Sequence, residues 1–549
     1  MNNNQDVLQH STLQCSLRGK HDESTIQYRN LKYATIPARF KDSVLNDTLH
    51  TGSDGVFDAT RFGPSCPQKR GGQKLDLALL GSTRIALSYE DGQGKTEMMN
   101  ELDCLHLSIT IPKSASEAGH AKALPVFVWV HGGGFGIGSN SWPQYDLRRF
   151  VERSATLGKP VIGVSMNYRL GMFGNLASEE VDAKGNFGYK DVAQAFRWIK
   201  KHIDGFGGDY GDITAAGNSA GAIVLSTILC ANVGESALFE KVLLMSGETT
   251  VRKPRTSYWH QRIYNDQLRF LGLDKSDFAA QRAALLQTDA EELAEKLPPL
   301  QHYCAHIDGE WLTHNITTGI MADGRRAEHQ PIWCKEFVIG DTQHDGTIFK
   351  AKILDRPDAF DRLQLACQKH LQPSETDSLL SAYKLSGTAS ADELRNGMCL
   401  IFSELRFYLP SLTALQGWGS SSPPKRASRY HFHVPNPFEG RFKGLASHEI
   451  DVVYLLQNFR EHFDRSDCEI ANQMTDHVIS YVNGEGWAKQ DKLVVFAPEG
   501  RKEMEEDEYD RLYRSGRGRL LENIGHARLW DVAEAWMGVR SEHKERAKM

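Results

Sequence analysis

No stretch of eighteen consecutive apolar residues occurs in this sequence, so no segment reads as a membrane-spanning helix. The first residues, Met1-Asn-Asn-Asn-Gln-Asp6, lack the basic and then apolar regions of a secretory leader, and an intracellular, cytoplasmic protein is the expectation. Charge of one sign is scarce too: 64 basic and 70 acidic residues leave a formal net charge of −6 with no basic stripe. Neither nucleic acid nor an anionic membrane is therefore expected as a partner; a small or neutral molecule is. The nine cysteines are scattered, odd in number and never spaced as Cys-x-x-Cys, which points to reduced thiols and to no metal.

Phosphate-binding patterns are missing as well. Gly94-Lys95-Thr96 would complete a phosphate loop only with glycine at position 89, where Tyr89 stands. The loop His131-Gly132-Gly133-Gly134-Phe135-Gly-Ile-Gly138 contains no Gly-x-Gly-x-x-Gly window, so no dinucleotide is expected, and no cofactor of any kind. The loop follows the β-rich run Leu124-Pro-Val-Phe-Val-Trp-Val130 directly. Three consecutive glycines let main-chain N–H groups face a cavity with no side chains in the way, as donors to an oxyanion must.

Glycine is abundant, with 48 residues, and a second glycine pattern organises the chain. Asp212-Ile-Thr-Ala-Ala-Gly217-Asn-Ser219-Ala-Gly221-Ala222 reads as a buried strand, a sharp turn and the start of a helix that continues to Ala231. Ser219 stands at the apex of Gly217-x-Ser219-x-Gly221. A side chain at either glycine would collide with the strand or the helix, and the helix N-terminus brings the Ala220 N–H beside any oxyanion formed there.

Further runs fill in a pattern of alternating strands and helices. Ile26 to Ile36 and Ile85 to Leu87 suit edge strands, after a polar start that is expected to be loosely held up to about residue 30. Pro160 to Tyr168, Val242 to Ser246, Glu336 to Gly340 and Tyr430 to Val434 read as strands. Asn186 to Ile203 reads as a helix with Asn186 as its cap. The expected class is α/β: a mostly parallel central sheet with helices on both faces, in one catalytic domain over 1–549. Helical excursions near 252–330, with a helical pair from Phe278 to Lys296, and near 350–425 are expected to cap the site.

Taken together, Glu101-x-Asp103-Cys104-Leu105, His131-Gly-Gly-Gly-Phe135, Asn167-Tyr-Arg-Leu-Gly171, Gly185-Asn-x-Gly188, Phe206-Gly-Gly-Asp209 and Gly217-Asn-Ser-Ala-Gly221 resemble, in order, the type-B carboxylesterase and lipase family of α/β-hydrolases. The texture is closest to fungal members. The resemblance implies the α/β-hydrolase fold and a serine esterase that keeps its triad in the chain order Ser, acid, His.

A serine hydroxyl needs an adjacent imidazole to take its proton, and the imidazole needs a carboxylate to hold its tautomer. Asp345 follows the strand ending at Gly340, and His448 follows the strand ending at Val434, so both are expected at one sheet edge with Ser219. His431 and His433 are rivals inside a strand, whereas Ala-Ser-His448-Glu-x-Asp451 lies where the family places its histidine. Asp341 and Asp308 are rivals for the acid, but Asp345-Gly346-Thr-x-Phe349 matches the family segment better. Many family members carry Glu there, so an Asp needs a closer backbone. The expected oxyanion donors are the N–H groups of Gly133, Gly134 and Ala220.

The expected function is hydrolysis of a small, apolar or aromatic carboxylic ester through an acyl-enzyme; the alternative is an acyltransferase or lactone-forming enzyme on the same triad. A non-catalytic binding module on the same fold would lack the nucleophile. The resemblance further implies Ser246 as a neighbour of the acid, and a disulfide between Cys66 and Cys104, which conflicts with the expected reducing compartment. The terminal Ala547-Lys548-Met549 loosely resembles a peroxisomal address, against the plainer reading of a charged, frayed end.

Overall fold

The runs of β-branched and aromatic residues assemble into one sheet of thirteen strands. The computed structural model describes residues 7–81, 97–114, 122–234, 236–299, 301–326, 329–422 and 425–538. In chain order the strands are β1 (Val7–His10), β2 (Cys15–His21), β3 (Thr25–Lys32), β4 (Val56–Ala59), β5 (His106–Pro112), β6 (Leu124–Val130), β7 (Ile162–Met166), β8 (Gly208–Asn218), β9 (Lys241–Met245), β10 (Glu336–Thr342), β11 (Arg426–Phe432), β12 (Leu493–Ala497) and β13 (Gly500–Met504). Their spatial order is β1-β2-β3-β5-β7-β6-β8-β9-β10-β11-β12-β13, with β4 beside β2. The run from β7 to β12 is parallel throughout. Antiparallel strands flank it at both ends.

Both faces of this sheet are covered, which is why β6 is apolar at every position from Val126 to Val130. Val126, Val128 and Val130 pack with the helices Phe187–His202 and Ala220–Cys230 in one core. Phe127 and Trp129 point the other way, into a core built with the helices Arg148–Thr156 and Arg465–Val482. A third core joins β12 to the helices Ala359–His370, Pro373–Ala382, Ala391–Ser403 and His526–Met537. The helical run Ala391–Gly419 is long and apolar enough to cross a membrane by length and composition, and its most apolar window is 89% buried within the protein.

Three expectations need correction. The start of the chain is not loose: β1, β2 and β3 are in the sheet from Val7 onward, and Ile26 lies inside the edge formed by β1 and β2. Asn186 precedes its helix with φ 60° but makes no side-chain cap. Its amide instead grips another segment, donating to the His306 carbonyl (2.8 Å) and accepting from the His306 N–H (2.7 Å). The strand expected at Tyr430 begins at Arg426. The expected helical pair after Phe278 is present as Phe278–Gln287 and Ala290–Lys296. Ile85 to Leu87, Gly94-Lys95-Thr96 and Ala547-Lys548-Met549 lie outside the described residues.

Candidate active site

The turn between β8 and the helix Ala220–Cys230 holds Ser219 at φ 51°, ψ −119°, a conformation that costs a non-glycine residue roughly 1–3 kcal/mol. The neighbouring strand explains both glycines. A Cβ at Gly221 would stand 2.1 Å from the Val130 carbonyl oxygen, and one at Gly217 would stand 2.8 Å from the Gly221 carbonyl carbon and 2.9 Å from the same Val130 oxygen. The turn is fastened to β9 by the Ser219 N–H, which donates to the Met245 carbonyl at 2.8 Å. Ser219 remains half-buried while Asn218 and Ala220 on either side are buried.

Beside it, β6 runs into the glycine loop, where Gly133 (φ 93°), Gly134 (φ 60°) and Phe135 (φ 65°) all take left-handed backbone. The Gly133 carbonyl is occupied by the N–H groups of Gly136 and Ile137, both at 3.1 Å. Among the described residues no acceptor takes the N–H of Gly133 or Gly134, and both residues are half-buried like Ser219. Ala220, as the first residue of its helix, has no intrahelical acceptor for its own N–H.

His448 and Asp345 meet directly: Nδ1 of the imidazole lies 2.5 Å from Asp345 Oδ1, and both side chains are buried. The other carboxylate oxygen accepts from the Ser246 hydroxyl (3.0 Å) and the Thr342 N–H (2.9 Å). The shorter Asp side chain reaches because the two backbones are tied together. The His344 N–H donates to the Ala446 carbonyl (2.9 Å), and the His448 N–H donates to Thr347 Oγ1 (3.2 Å). His448 Nε2 is buried and has no partner among the described residues.

The rivals are engaged elsewhere. Asp341 pairs with His431 Nδ1 at 2.7 Å, and burial, then the nearby Asp345, pushes its carboxyl far above the usual range. His433 Nε2 lies 3.0 Å from the Tyr509 hydroxyl. Asp308 accepts the N–H groups of Glu310, Trp311 and Leu312, which makes it a turn-former.

Beneath the imidazole lies a group of buried acids that composition and motif did not single out. Asp451 accepts from the Tyr430 hydroxyl at 2.7 Å, and burial pushes it up to about 7. Burial and then Asp76 raise Glu449 well above its ordinary value, while Asp76 accepts from Gln144 (2.8 Å) and Tyr145 (2.9 Å). Further negative charge around His448 is thereby disfavoured. The one signal in the sequence is Glu449-x-Asp451 beside His448. Among the described residues no cluster of His, Cys, Asp and Glu is arranged to hold a metal ion.

The predicted residues thus cluster at the carboxyl ends of adjacent parallel strands: Gly133 and Gly134 after β6, Ser219 and Ala220 after β8, Ser246 after β9, Asp345 after β10 and His448 after β11. In open sheets of this kind the crevice beyond those ends is where ligands bind. Cys66 and Cys104 are free thiols, not a disulfide; both are buried, and Cys66 Sγ accepts the Leu170 N–H at 3.2 Å.

The family model described as the carboxylesterase family matches residues 7–511. Lipase 3 of Yarrowia lipolytica is 28% identical over 450 residues, covering 80% of this chain and 81% of its own. Para-nitrobenzyl esterase of Bacillus subtilis is 30% identical over 291 residues, 51% of this chain and 52% of its own. Among solved structures, a PNB esterase superposes with a TM-score of 0.71 at 21% identity over 94% of this chain and 99% of its own, which speaks to the fold alone.

Proposed function

Because the chain belongs to the carboxylesterase family and is a carboxylic ester hydrolase, we propose that it works through an acyl-enzyme on Ser219, with His448 as base and Asp345 as its orienting acid. The observation that carries this reading is the 2.5 Å contact from His448 Nδ1 to Asp345, with Nε2 left without a partner. A carboxylate at Nδ1 fixes the proton on that nitrogen and leaves the Nε2 lone pair free to receive the serine proton. Ser219 Oγ then attacks the ester carbonyl, and the oxyanion is held by the N–H groups of Gly133, Gly134 and Ala220. Collapse returns the proton from Nε2 to the departing alcohol. Water repeats the sequence on the acyl-enzyme and frees Ser219.

Several fixed donors serve this chemistry better than one, since removal of a single oxyanion donor typically costs about 3–4 kcal/mol of barrier. Aromatic side chains near the site support an ester with an apolar or aromatic part. The Phe135 ring lies 5.4 Å from that of Tyr189, Tyr189 lies 6.0 Å from Trp311, and Phe407 lies 5.5 Å from the His448 ring.

The test is turnover of short p-nitrophenyl esters by the wild type and by Ser219→Ala. The variant should lose activity by roughly 10⁴-fold or more at unchanged melting temperature. Substantial residual turnover would remove Ser219 from the mechanism.

A further inference from the structure

We propose that the preferred ester carries a carboxylate beside the scissile bond, received by Arg252 at the head of a buried guanidinium cluster; this rests on the catalytic reading above. Arg252 closes the short 3-10 turn Thr249–Arg252, which begins two residues after Gly247. Gly247 lies against the nucleophile's own main chain, since a Cβ there would stand 2.5 Å from the Ser219 carbonyl oxygen. The turn is also fastened to the nucleophile helix, through the Thr249 N–H on Ser226 Oγ (3.1 Å) and Thr249 Oγ1 beside Thr227 Oγ1 (3.1 Å).

Two other contacts bring the same cluster to the site. Arg406 donates to the Val251 carbonyl, and the next residue, Phe407, packs on the His448 ring. Tyr189, whose ring meets Phe135 at the oxyanion loop, is buried with an unpartnered hydroxyl and feels the Arg252 charge.

The charge count within this cluster does not close. Arg255 and Arg406 share one carboxylate, Glu534, at 2.6 and 3.3 Å, and the Nε of each is buried without a partner. Arg252 forms no salt bridge among the described residues; its Nη1 reaches only the Gln301 carbonyl, at 3.4 Å. The remaining acid, Glu248, is taken up by Thr250 through Oε1, its Oε2 is buried and unpartnered, and burial pushes it up to about 7. Excess positive charge shows in its neighbour: His302 is driven well below its ordinary value, by burial first and then by Arg252, Arg255 and Arg406.

A guanidinium cannot shed its proton at physiological pH, so an uncompensated one in a desolvated place is costly until an anion arrives. A carboxylate matches its planar fork in two parallel hydrogen bonds. Arg252 is half-buried, while Arg255 and Arg406 are fully buried. The arrangement assigns first contact to Arg252 and leaves the other two to deepen the local field.

The experiment compares esters in pairs. Mono-p-nitrophenyl glutarate against p-nitrophenyl pentanoate places the carboxylate on the acyl part, and 4-acetoxybenzoate against phenyl acetate places it on the alcohol part. In the wild type, one anionic ester should exceed its neutral partner in kcat/KM by about tenfold or more, and that ratio should fall at least about tenfold in Arg252→Gln. The pair that shows the effect identifies the side on which the carboxylate sits. Poorer turnover of both anionic esters in the wild type, or a ratio unchanged in the variant, would overturn the proposal. Should Arg252→Gln fail to fold, competition decides with the wild type alone: glutarate must inhibit neutral-ester turnover at lower concentration than glutaramide, and equal potency overturns it. Neutral-ester turnover abolished by Ser219→Ala reports the catalytic reading separately, so failure of one is not mistaken for failure of the other.

Discussion

Two aspartates four residues apart each pair with a histidine in this chain, Asp341 with His431 and Asp345 with His448. Only the second has an imidazole nitrogen at the strand ends where Ser219 emerges; the first is enclosed, its imidazole stacked on the Tyr509 ring at 4.1 Å. Asp345→Asn should therefore lower kcat/KM by about 10³–10⁴-fold with little change in melting temperature, since the wrong tautomer would be held. Asp341→Asn should do the reverse, keeping kcat within a few-fold while destabilising the fold by about 1–3 kcal/mol. Steady-state kinetics and thermal melts on the two variants distinguish them, and an equal kinetic loss in both would refute the division. Asp451 gives a pH signature. Its folded pKa, about 7, lies above the unfolded value of about 3.8, so its contribution to stability is complete at low pH and is lost as pH rises through 7. Asp451→Asn cannot ionise, so the wild type's melting temperature relative to the variant's should fall between pH 5 and pH 8; a constant difference would contradict the burial argument. At this scale the residues that carry a motif, Ser219, Gly133 and His448, were legible. Asp451 and Glu449 were not, because nothing in a sequence shows that a carboxyl will be sealed against Asp76, more than 370 positions upstream.

Among the elements, the helical run from Ala391 to Gly419 shows how a local irregularity serves the site. Pro410 has no N–H to give to the carbonyl of Arg406, and the helix widens into a π turn over Glu404–Tyr408. The turn sends Phe407 onto His448 and Arg406 toward Val251, while Glu404 is received by Arg514 (2.7 Å) and Arg517 (2.8 Å). Burial opposes ionisation of Glu404, but the two guanidiniums prevail and hold it at about 2. A folded pKa below the unfolded value of about 4.5 means stability that is present above pH 4.5 and lost as pH falls toward 2. Glu404→Gln leaves the buried Arg514 and the half-buried Arg517 without their anion, so a loss of about 3–5 kcal/mol at pH 7 is expected. The penalty should shrink as both proteins are titrated into acid, and denaturant midpoints across pH 3–7 would show it; a penalty independent of pH would refute the pairing. The helical character of this stretch was readable from its apolar residues, whereas the partners of Glu404, Arg514 and Arg517, stand 110 and 113 positions away.

At the scale of the whole molecule, parallel strands joined through helices bring five segments of chain to one rim, an arrangement that follows from strand-helix alternation before any contact is known. What escaped the sequence lies at the two ends. The first strands look loose because β2 carries Arg18 and Lys20 on its exposed face, so low hydropathy conceals an ordered edge. The hairpin β12–β13 sits against β11 only after the long helix Arg465–Val482, and no motif marks it. The same enclosing architecture sets the fate of the thiols. None of the nine cysteines is in a disulfide, and only Cys15 and Cys468 are more than slightly accessible. The Cys104 thiol is raised well above its ordinary value, by its neighbour Cys66 first and then by burial, and burial raises those of Cys230, Cys334, Cys367 and Cys399. Because the thiolate is the reactive form, alkylation of the native protein should stop at Cys15 and Cys468, and alkylation in denaturant without reductant should reach all nine. Intact-mass measurement separates the outcomes: two fewer adducts in denaturant, restored by reductant, would mean that Cys66 and Cys104 are joined after all.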